Sequence, residues 1–549
     1  MGKYAIGFDF GTLSARSLLF DLENGQEVAS AVAAYPHGVM QTQLPNGTKL
    51  PAGWALQHPE DYLSCLYLVS REVMERTGIS ADEIVGIGLD FTSSTVLPVT
   101  EDGTPLCCIS DYEGEPHAFV KLWKHHGAEP EAAEIDRLAT ERGESWLPLY
   151  GGKVSSEWLL PKVVETARHA PEVYERAACF VEAMDWITWK LTGELTRSSC
   201  AAGYKSFYRH DSGYPSDGFM KALDTGLADL TRTKLAGPIK TVGTSAGTLT
   251  AEMAGQMGLR PGTPVGIGII DAHASVLGSG IHEPGTMMII VGTSSCHMLL
   301  SETEVGIPGI AGIVQDGIVP GYFGYEAGQS CVGDLYGWFV DHCVPADYVS
   351  EATARGLSVH QLLTEKLDGY RPGKSGLLAL DWHNGVRSPL MDFDLSGLIL
   401  GLNLQTKPEE IYLSLIEATA YGTRMILENF ESAGTQVDRI LMSGGIPLKN
   451  PRLVQIYADV CDREIVVSSS SNASVRGAAL LGAAASGPYG NLSQLVRAYA
   501  PSDSLVYRPN KANVKIYDEL YREYCRLHEF FGCGGNDVMK RLKRLREDI

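Results

Sequence analysis

Three pairs of segments recur along this 549-residue chain, and that duplication constrains the fold more than any other feature. GFDFGTLSARSLLF (7–20) is echoed by IIVGTSSCHMLL (289–300); each reads as a strand, a Gly-Thr turn, a nearby serine and a second strand. VGIGLD (85–90) resembles VGIGIID (265–271). His273-Ala-Ser-Val276 parallels Asn472-Ala-Ser-Val475, which leads into the small-residue run RGAALLGAAA. Strand–turn–helix junctions reuse such residues, so the shared order carries the inference rather than any one match. It predicts two related halves, divided near 280–286 where Gly280 and the pair Pro284-Gly285 interrupt the pattern.

Within the first half, Tyr4 to Phe10 reads as a strand, Gly11 and Thr12 as a turn, and Ser17 to Phe20 as a returning strand that ends at Asp21. A helical pattern covers 60–77, with Pro59 near its start and Gly78 just past its end. Ile84 to Leu89 is a short buried-type strand ending in Asp90. Strands alternating with helices of this length indicate an α/β chain. Near the C-terminus, 512–531 is amphipathic, with Tyr517, Leu520, Tyr521 and Tyr524 on its pattern. Lys540, Arg541, Lys543, Arg544 and Arg546 then form a basic helix, read as a solvated face or a partner contact.

Composition narrows the function classes. With 66 acidic against 45 basic side chains the net charge is −21, which argues against nucleic acid, because a phosphate backbone needs a basic face. An anionic small ligand stays possible, since backbone N–H groups can bind phosphate inside an acidic protein. Eleven cysteines show no CxxC pair and no zinc-type cluster, as expected of free thiols in a reducing compartment. The opening MGKYAIGFDFG has no signal-peptide core and no apolar run is long enough to span a bilayer, so a cytoplasmic protein without membrane association is expected.

Several residues could carry chemistry. Two Gly-Thr turns, Gly11-Thr12 and Gly292-Thr293, suggest a phosphate clamp, because glycine lets the backbone approach closely and the hydroxyls add donors. Asp9, just before the first turn, is placed to hold a divalent cation directly or through water. Neither turn fits a P-loop or a dinucleotide-binding glycine motif. Asp271 ends a strand and opens a helix; its position fits a proton acceptor facing a crevice and a helix cap equally well. The Gly444-Gly445 turn after Leu441-Met-Ser, with Asn450 beyond it, could let a flat ring lie on bare backbone or simply join strand to helix. His273, His125 and His126 have no second ligand at helical or strand spacing and read as packed or surface residues rather than a metal site. Trp123 reads as part of an amphipathic helix, where a tryptophan normally belongs to the core.

The hairpin DFGT, the second GTSS, the strand end IIDAHAS and the turn ILMSGG stand in the order found in FGGY-type carbohydrate kinases, and over roughly 3–500 the chain resembles that family. HAFVKLWKHHGAEPEA (117–132), SSEWLLPKVVE (155–165), AAGYKSFY (201–208) and GYEAGQSCVGDLYGWF (324–339) look like the branch that phosphorylates L-ribulose in arabinose catabolism. The resemblance implies an α/β fold of two ribonuclease-H-like domains, as in the actin and heat-shock ATPase superfamily, flanking a deep cleft. The domains would be 1–283, binding sugar, and 284–500, binding ATP, followed by a helical extension over 501–549. It further implies Mg²⁺ and ATP as cofactors, Asp271 as general base, Asp9 on the metal, Gly11, Thr12, Gly292 and Thr293 at the phosphates, and Gly444, Gly445 and Asn450 bordering the adenosine. Ser93, Trp123, Lys205, Asp271 and Glu326 would hold the sugar, L-ribulose or a related ketopentose or pentitol. A homo-oligomer, such as a dimer, is expected. The alternatives are a kinase for xylulose, D-ribulose or ribitol, or an actin-like ATPase that ignores sugars.

Overall fold

The computed structural model describes residues 3–468, 472–502 and 504–547. The first half is built on a seven-stranded sheet. Strands β1 (Tyr4–Phe10), β2 (Ser14–Asp21) and β3 (Glu27–Ala34) run antiparallel, and β4 (Ile84–Phe91) lies parallel to β1 on its other side. Strand β5 (Ser245–Thr248) is an antiparallel edge on β6 (Pro264–Gly266), while β6 and β7 (Ile269–Ile270) both pair in parallel with β4. The segment 265–271 is thus two short strands rather than one. Helix α1 (Pro59–Thr77) packs against β2 and β3; proline opens it and Gly78, in the left-handed region at φ 65°, ends it.

The second half repeats the plan. Strands β8 (Gly285–Val291), β9 (Ser295–Ser301), β10 (Gly312–Gln315), β11 (Phe323–Gln329), β12 (Val437–Ser443), β13 (Glu464–Ser468) and β14 (Ser504–Tyr507) form one sheet in the order β10-β11-β9-β8-β12-β13-β14. Apart from added edge strands, both sheets contain an antiparallel triplet followed by two parallel strands, β3-β2-β1-β4-β6 in the first and β11-β9-β8-β12-β13 in the second, the 3-2-1-4-5 plan of a ribonuclease-H-like domain. The sequence echo therefore marks equivalent hairpins: Gly11 N–H donates to Ser14 O at 3.0 Å in one, Gly292 N–H to Ser294 O at 2.9 Å in the other.

Helices α2 (Leu159–His169) and α3 (Ser199–Ser206) belong to the first half, and α4 (Asp271–Gly278) closes it; α5 (Pro451–Cys461) and α6 (Ala473–Ser486) follow in the second. Although α6 falls in the second half by sequence, it lies across β1, β4 and β6 of the first sheet and against α4. Its glycines and alanines make this possible. A Cβ on Gly88 of β4 would collide with the carbonyl oxygen of Ala478, one on Gly477 with that of Ala274, and one on Gly278 with that of Ala473. Only bare backbone permits such an approach.

The segment from 501, expected to be helical throughout, opens with β14 instead. Its Ser-Leu-Val-Tyr run has strand-forming residues and completes the second sheet beside β13. Helix α7 (Lys511–Gly532) buries Tyr517, Tyr521 and Tyr524, with the Tyr517 hydroxyl on Glu417 at 3.1 Å and that of Tyr524 on Asp381 at 3.0 Å. The basic helix α8 (Val538–Glu547) is partly spent on an internal contact, since Lys540 pairs with Asp392 and Lys543 with Asp394. Among the described residues no helix is long and apolar enough to cross a membrane.

The crossing predicts a sharp asymmetry between glycines. Gly477→Val should cost about 3 kcal/mol or more in urea unfolding, because the added atoms meet backbone that cannot move alone. Gly337→Ala, in the helix Gly333–Cys343 with nothing within 4 Å of the new methyl, should gain up to about 1 kcal/mol.

Candidate active site

The carboxyl ends of β4 and β7 lie side by side, with Ile270 opposite Phe91. Ser93 follows β4 and Asp271 follows β7, so both leave the sheet at the edge where open α/β sheets form crevices. The β1–β2 turn adds Thr12 to this edge, α3 adds Lys205, and across the gap the second half contributes Thr293 and Glu326 of β11. Together with Trp123 these seven side chains line one cleft between the halves. Gly11 and Gly292 sit in the two flanking turns. Asp9 lies one register step inside, opposite Asp90 of β4.

Trp123 is not on a helix. It occupies a turn just after a short strand at Val120–Lys121, and its indole N–H donates to the Thr12 hydroxyl at 3.1 Å. The helical pattern fails because Lys121 and His125, on either side of it, are both buried and held by the carboxylate of Glu165 at 2.6 Å and 3.1 Å. The indole thus presents a face to the cleft while bracing the phosphate-type turn.

Charge in the cleft is uneven. Burial, with Asp9 and Glu326 nearby, pushes the Asp271 carboxyl up to about 7. Asp271 is the first residue of α4 rather than its cap, and its Oδ1 accepts the Ala272 amide at 2.7 Å. Behind it, Asp90 is fully buried with no hydrogen-bond donor; burial and the carboxylates of Asp9 and Asp271 drive it well above the ordinary range. Glu326 behaves oppositely. Burial alone would raise it, but Lys205, at 3.1 and 3.2 Å, and His273, at 3.3 Å, hold it at about 2. Lys205 and Glu326 form an ion pair across the cleft wall, able to orient polar groups of a ligand from both signs of charge.

The turns suit phosphate. Among the described residues, the amides of Thr12, Leu13, Thr293 and Ser294 donate to no protein acceptor, so the two turns carry four unspent N–H groups. Asp9 accepts from Ser474 of α6 at 3.0 Å and keeps its remaining lone pairs beside buried, donor-less Asp90. That donor set fits a hydrated Mg²⁺, which takes one or two carboxylates and completes its shell with water and phosphate oxygens. On the far side of the second turn, Gly444, at φ 108°, packs against the Val291 carbonyl, where a Cβ would collide. Gly445 opens onto free space. Asn450 caps α5, its Oδ1 accepting the Leu453 amide at 3.1 Å, so that oxygen is already engaged. These three residues lie outside the Asp271 cleft, on the β12 side of the second turn.

A buried layer beneath the cleft is absent from the motif reading. Lys162 of α2 donates to Ser94 O at 2.6 Å and Leu122 O at 2.8 Å, tying the loop of Ser93 to the loop of Trp123. Burial lowers its amine to about 7. Lys121 donates to Glu165 at 2.6 Å and to Thr166 at 2.7 Å. The only sequence signal was a lysine inside an apolar helix, LLPKVV. Glu157, within the SSEWLLPKVVE segment, also lines the cleft, as do Arg387, Met391 and Phe393, which no motif announces.

Two family models describe this chain between them. The N-terminal domain of the FGGY family of carbohydrate kinases matches residues 4–278, and the C-terminal domain of that family matches 287–486. A ribulokinase from Geobacillus thermodenitrificans is 49% identical over 551 residues, covering 99% of this chain and 97% of the relative. A ribulokinase from Halalkalibacterium halodurans is 50% identical over 549 residues, covering 99% and 98%. Among solved structures, the ligand-bound xylulose kinase from Lactobacillus acidophilus superposes with a TM-score of 0.79 at 18% identity, over 96% of this chain and 98% of that one, a likeness of fold. A duplicated ribonuclease-H-like architecture and near-full-length relatives lead to the same place: the chain belongs to the FGGY family of carbohydrate kinases.

Proposed function

We propose that this protein transfers the terminal phosphoryl group of Mg-ATP to the 5-hydroxyl of L-ribulose, in the cytoplasm and as a step of L-arabinose catabolism. The observation that carries the reading is the convergence of Asp271, the Lys205–Glu326 pair, Ser93 and Trp123 on one cleft flanked by two turns with unspent amides. The choice of L-ribulose is supported by the ribulokinases that share about half of their residues with this chain.

In this reading Asp271 accepts the proton of the sugar hydroxyl as the phosphoryl group arrives, and its carboxyl near 7 suits a base that must be ionised yet able to hold a proton. Lys205 and Glu326 orient the remaining hydroxyls, and their burial discriminates against sugars that leave them unpaired. Trp123 offers an apolar face to the carbon chain and fixes Thr12. Asp9 would hold the magnesium, Gly11, Thr12, Gly292 and Thr293 the phosphates, and Gly444 and Gly445 the adenosine, with Asn450 contributing through its free amide group. When bound, Mg-ATP supplies the phosphoryl group and the cation that offsets its charge. Little covalent work falls to the protein, so positioning and charge neutralisation dominate.

A coupled assay of kcat/KM across the four 2-ketopentoses and ribitol tests the assignment. L-ribulose should be among the best substrates, and ATP turnover indifferent to every sugar would end it. Asp271→Asn should fold normally and bind both substrates but lose a factor of about 10² to 10⁴ in kcat. A residual rate above about a tenth of wild type, a loss under about 1.4 kcal/mol, would remove Asp271 as the base.

The pH dependence has a defined sign. A base must be a carboxylate, so kcat/KM should fall about tenfold per unit below pH ~7 and level off above it. Stability moves the other way. The native Asp271 keeps a proton that the unfolded chain has lost above its ordinary value of 3.8, so this residue's contribution declines as pH rises from there towards about 7. A kcat/KM profile flat from pH 5 to 8 would contradict the assignment.

A further inference from the structure

Among the described residues two cationic side chains line the cleft, and they differ in one respect. Lys205 is tied to Glu326. Arg387 is not tied to anything: among the described residues its guanidinium makes no hydrogen bond and no ion pair within 4 Å. Its backbone, by contrast, is firmly held. Ser388 N–H donates to Gly328 O at 3.0 Å, Gly328 N–H donates to the Ser388 hydroxyl at 3.2 Å, and that hydroxyl donates to Gly309 O at 2.7 Å. The loop is therefore docked on β11 while the guanidinium is left free.

Where it points follows from the sheet. Glu326 and Gly328 are two residues apart on β11 and share a face, and Gly328 stands opposite Cys296, two residues after Ser294. Arg387 lies over Gly328, with Cδ and Nη1 each 3.4 Å from where a Cβ would be. The bare glycine thus leaves room for the Arg387 side chain, which lines the same cleft as Glu326, Thr293 and Ser294. Glu326 is already engaged by Lys205 and His273, so Arg387, which feels the carboxylates of Glu157 and Glu326 without a hydrogen bond or ion pair to either, keeps its donors available to a ligand in the cleft.

We propose that Arg387 is a catalytic residue of the transfer, its guanidinium binding the oxygens of the phosphoryl group as it passes to the sugar and then the phosphate of the product. This rests on the kinase reading given above. The sugar hydroxyl oxygen forms the new bond to phosphorus, its proton passes to Asp271, and the electron pair of the broken P–O bond leaves with ADP. Arg387 loses no proton and contributes N–H···O bonds only. Charge in such a transfer spreads over the three equatorial oxygens, which a planar fork of donors matches better than a point charge does.

The test compares Arg387→Gln, Arg387→Lys and Glu157→Gln with wild type, using the ketopentose that wild type phosphorylates best. Steady-state kinetics would be paired with calorimetric binding of the free sugar and of its 5-phosphate in the absence of nucleotide. For Arg387→Gln, kcat should fall at least 30-fold and affinity for the sugar 5-phosphate at least tenfold. Free-sugar affinity and the thermal midpoint should stay near wild type, and Arg387→Lys should lie between.

Three results would overturn the proposal. One is a kcat within threefold of wild type with product affinity unchanged. Another is loss of free-sugar affinity with kcat preserved, which would put the guanidinium on sugar hydroxyls. The third is a Glu157→Gln variant reproducing the whole effect, which would make Arg387 a latch to the acidic group on the opposite wall. If wild type phosphorylates no sugar, the kinase reading itself fails and this one falls with it, an outcome distinct from an active wild type with an indifferent Arg387→Gln.

Discussion

The close crossing of helices α4 and α6 is the contact on which the rest of the structure depends. Gly278 and Gly477 bring the two backbones together, and Gly88 lets α6 lie on the central strand of the first sheet. Helix α6 leaves its own half to pack on the first sheet, and α4, which crosses it, also touches β9 of the second sheet, so the halves are joined at a buried seam rather than by a linker. Asp271 begins one of these helices, and Ser474, which holds Asp9, is the second residue of the other. The groups proposed for proton transfer and for the metal are thereby fixed to the joint itself.

Electrostatics explains how an acidic protein can work on an anionic substrate. The net charge of −21 sets an unfavourable field at long range, and the cleft adds Asp9, Asp90, Asp271 and Glu326. Burial neutralises part of this by raising Asp90 and Asp271, so the carboxyls are not all ionised at once. Lys205 and His273 offset Glu326. What remains for the phosphates is local and directional: four unspent amides, a carboxylate suited to a divalent cation, and one guanidinium. Local donors act at contact distance with little intervening water, whereas the wider field is screened within about 8–10 Å at physiological salt.

Beneath the cleft, buried lysines act as struts. Lys162 spans two loop carbonyls and Lys121 spans Glu165 and Thr166 at full burial, a costly arrangement unless every donor is met. Their cost is reasonable where two loops that carry ligand-facing residues must hold a fixed separation. The tail has a related effect, since α8 pairs with Asp392 and Asp394 on the same loop that carries Arg387, Met391 and Phe393 into the cleft.

Much of this was legible in the chain. The two Gly-Thr hairpins, the strand ending at Asp271 and the small-residue run of α6 each leave a local signature, because a tight turn, a strand end and a close helix crossing restrict which residues can stand there. Those signatures pointed to the duplicated α/β fold and to Thr12, Asp271 and Thr293; Ser93, Lys205 and Glu326 came only with the resemblance to the carbohydrate kinases, and all six line one cleft. Trp123 was misread because its helical spacing was coincidental, and the buried partners of Lys121 and His125 lie 40 or more residues away. Arg387 carries no period, no glycine and no motif, and Glu157 and Lys162 stand in a segment, SSEWLLPKVVE, whose resemblance to the kinases says nothing of what either side chain does. Their roles depend on which distant backbone comes to lie beside them, and on whether a charge finds a partner or is left facing a cleft. Tertiary structure alone decides that, because burial and pairing are properties of three-dimensional neighbours rather than of sequence spacing.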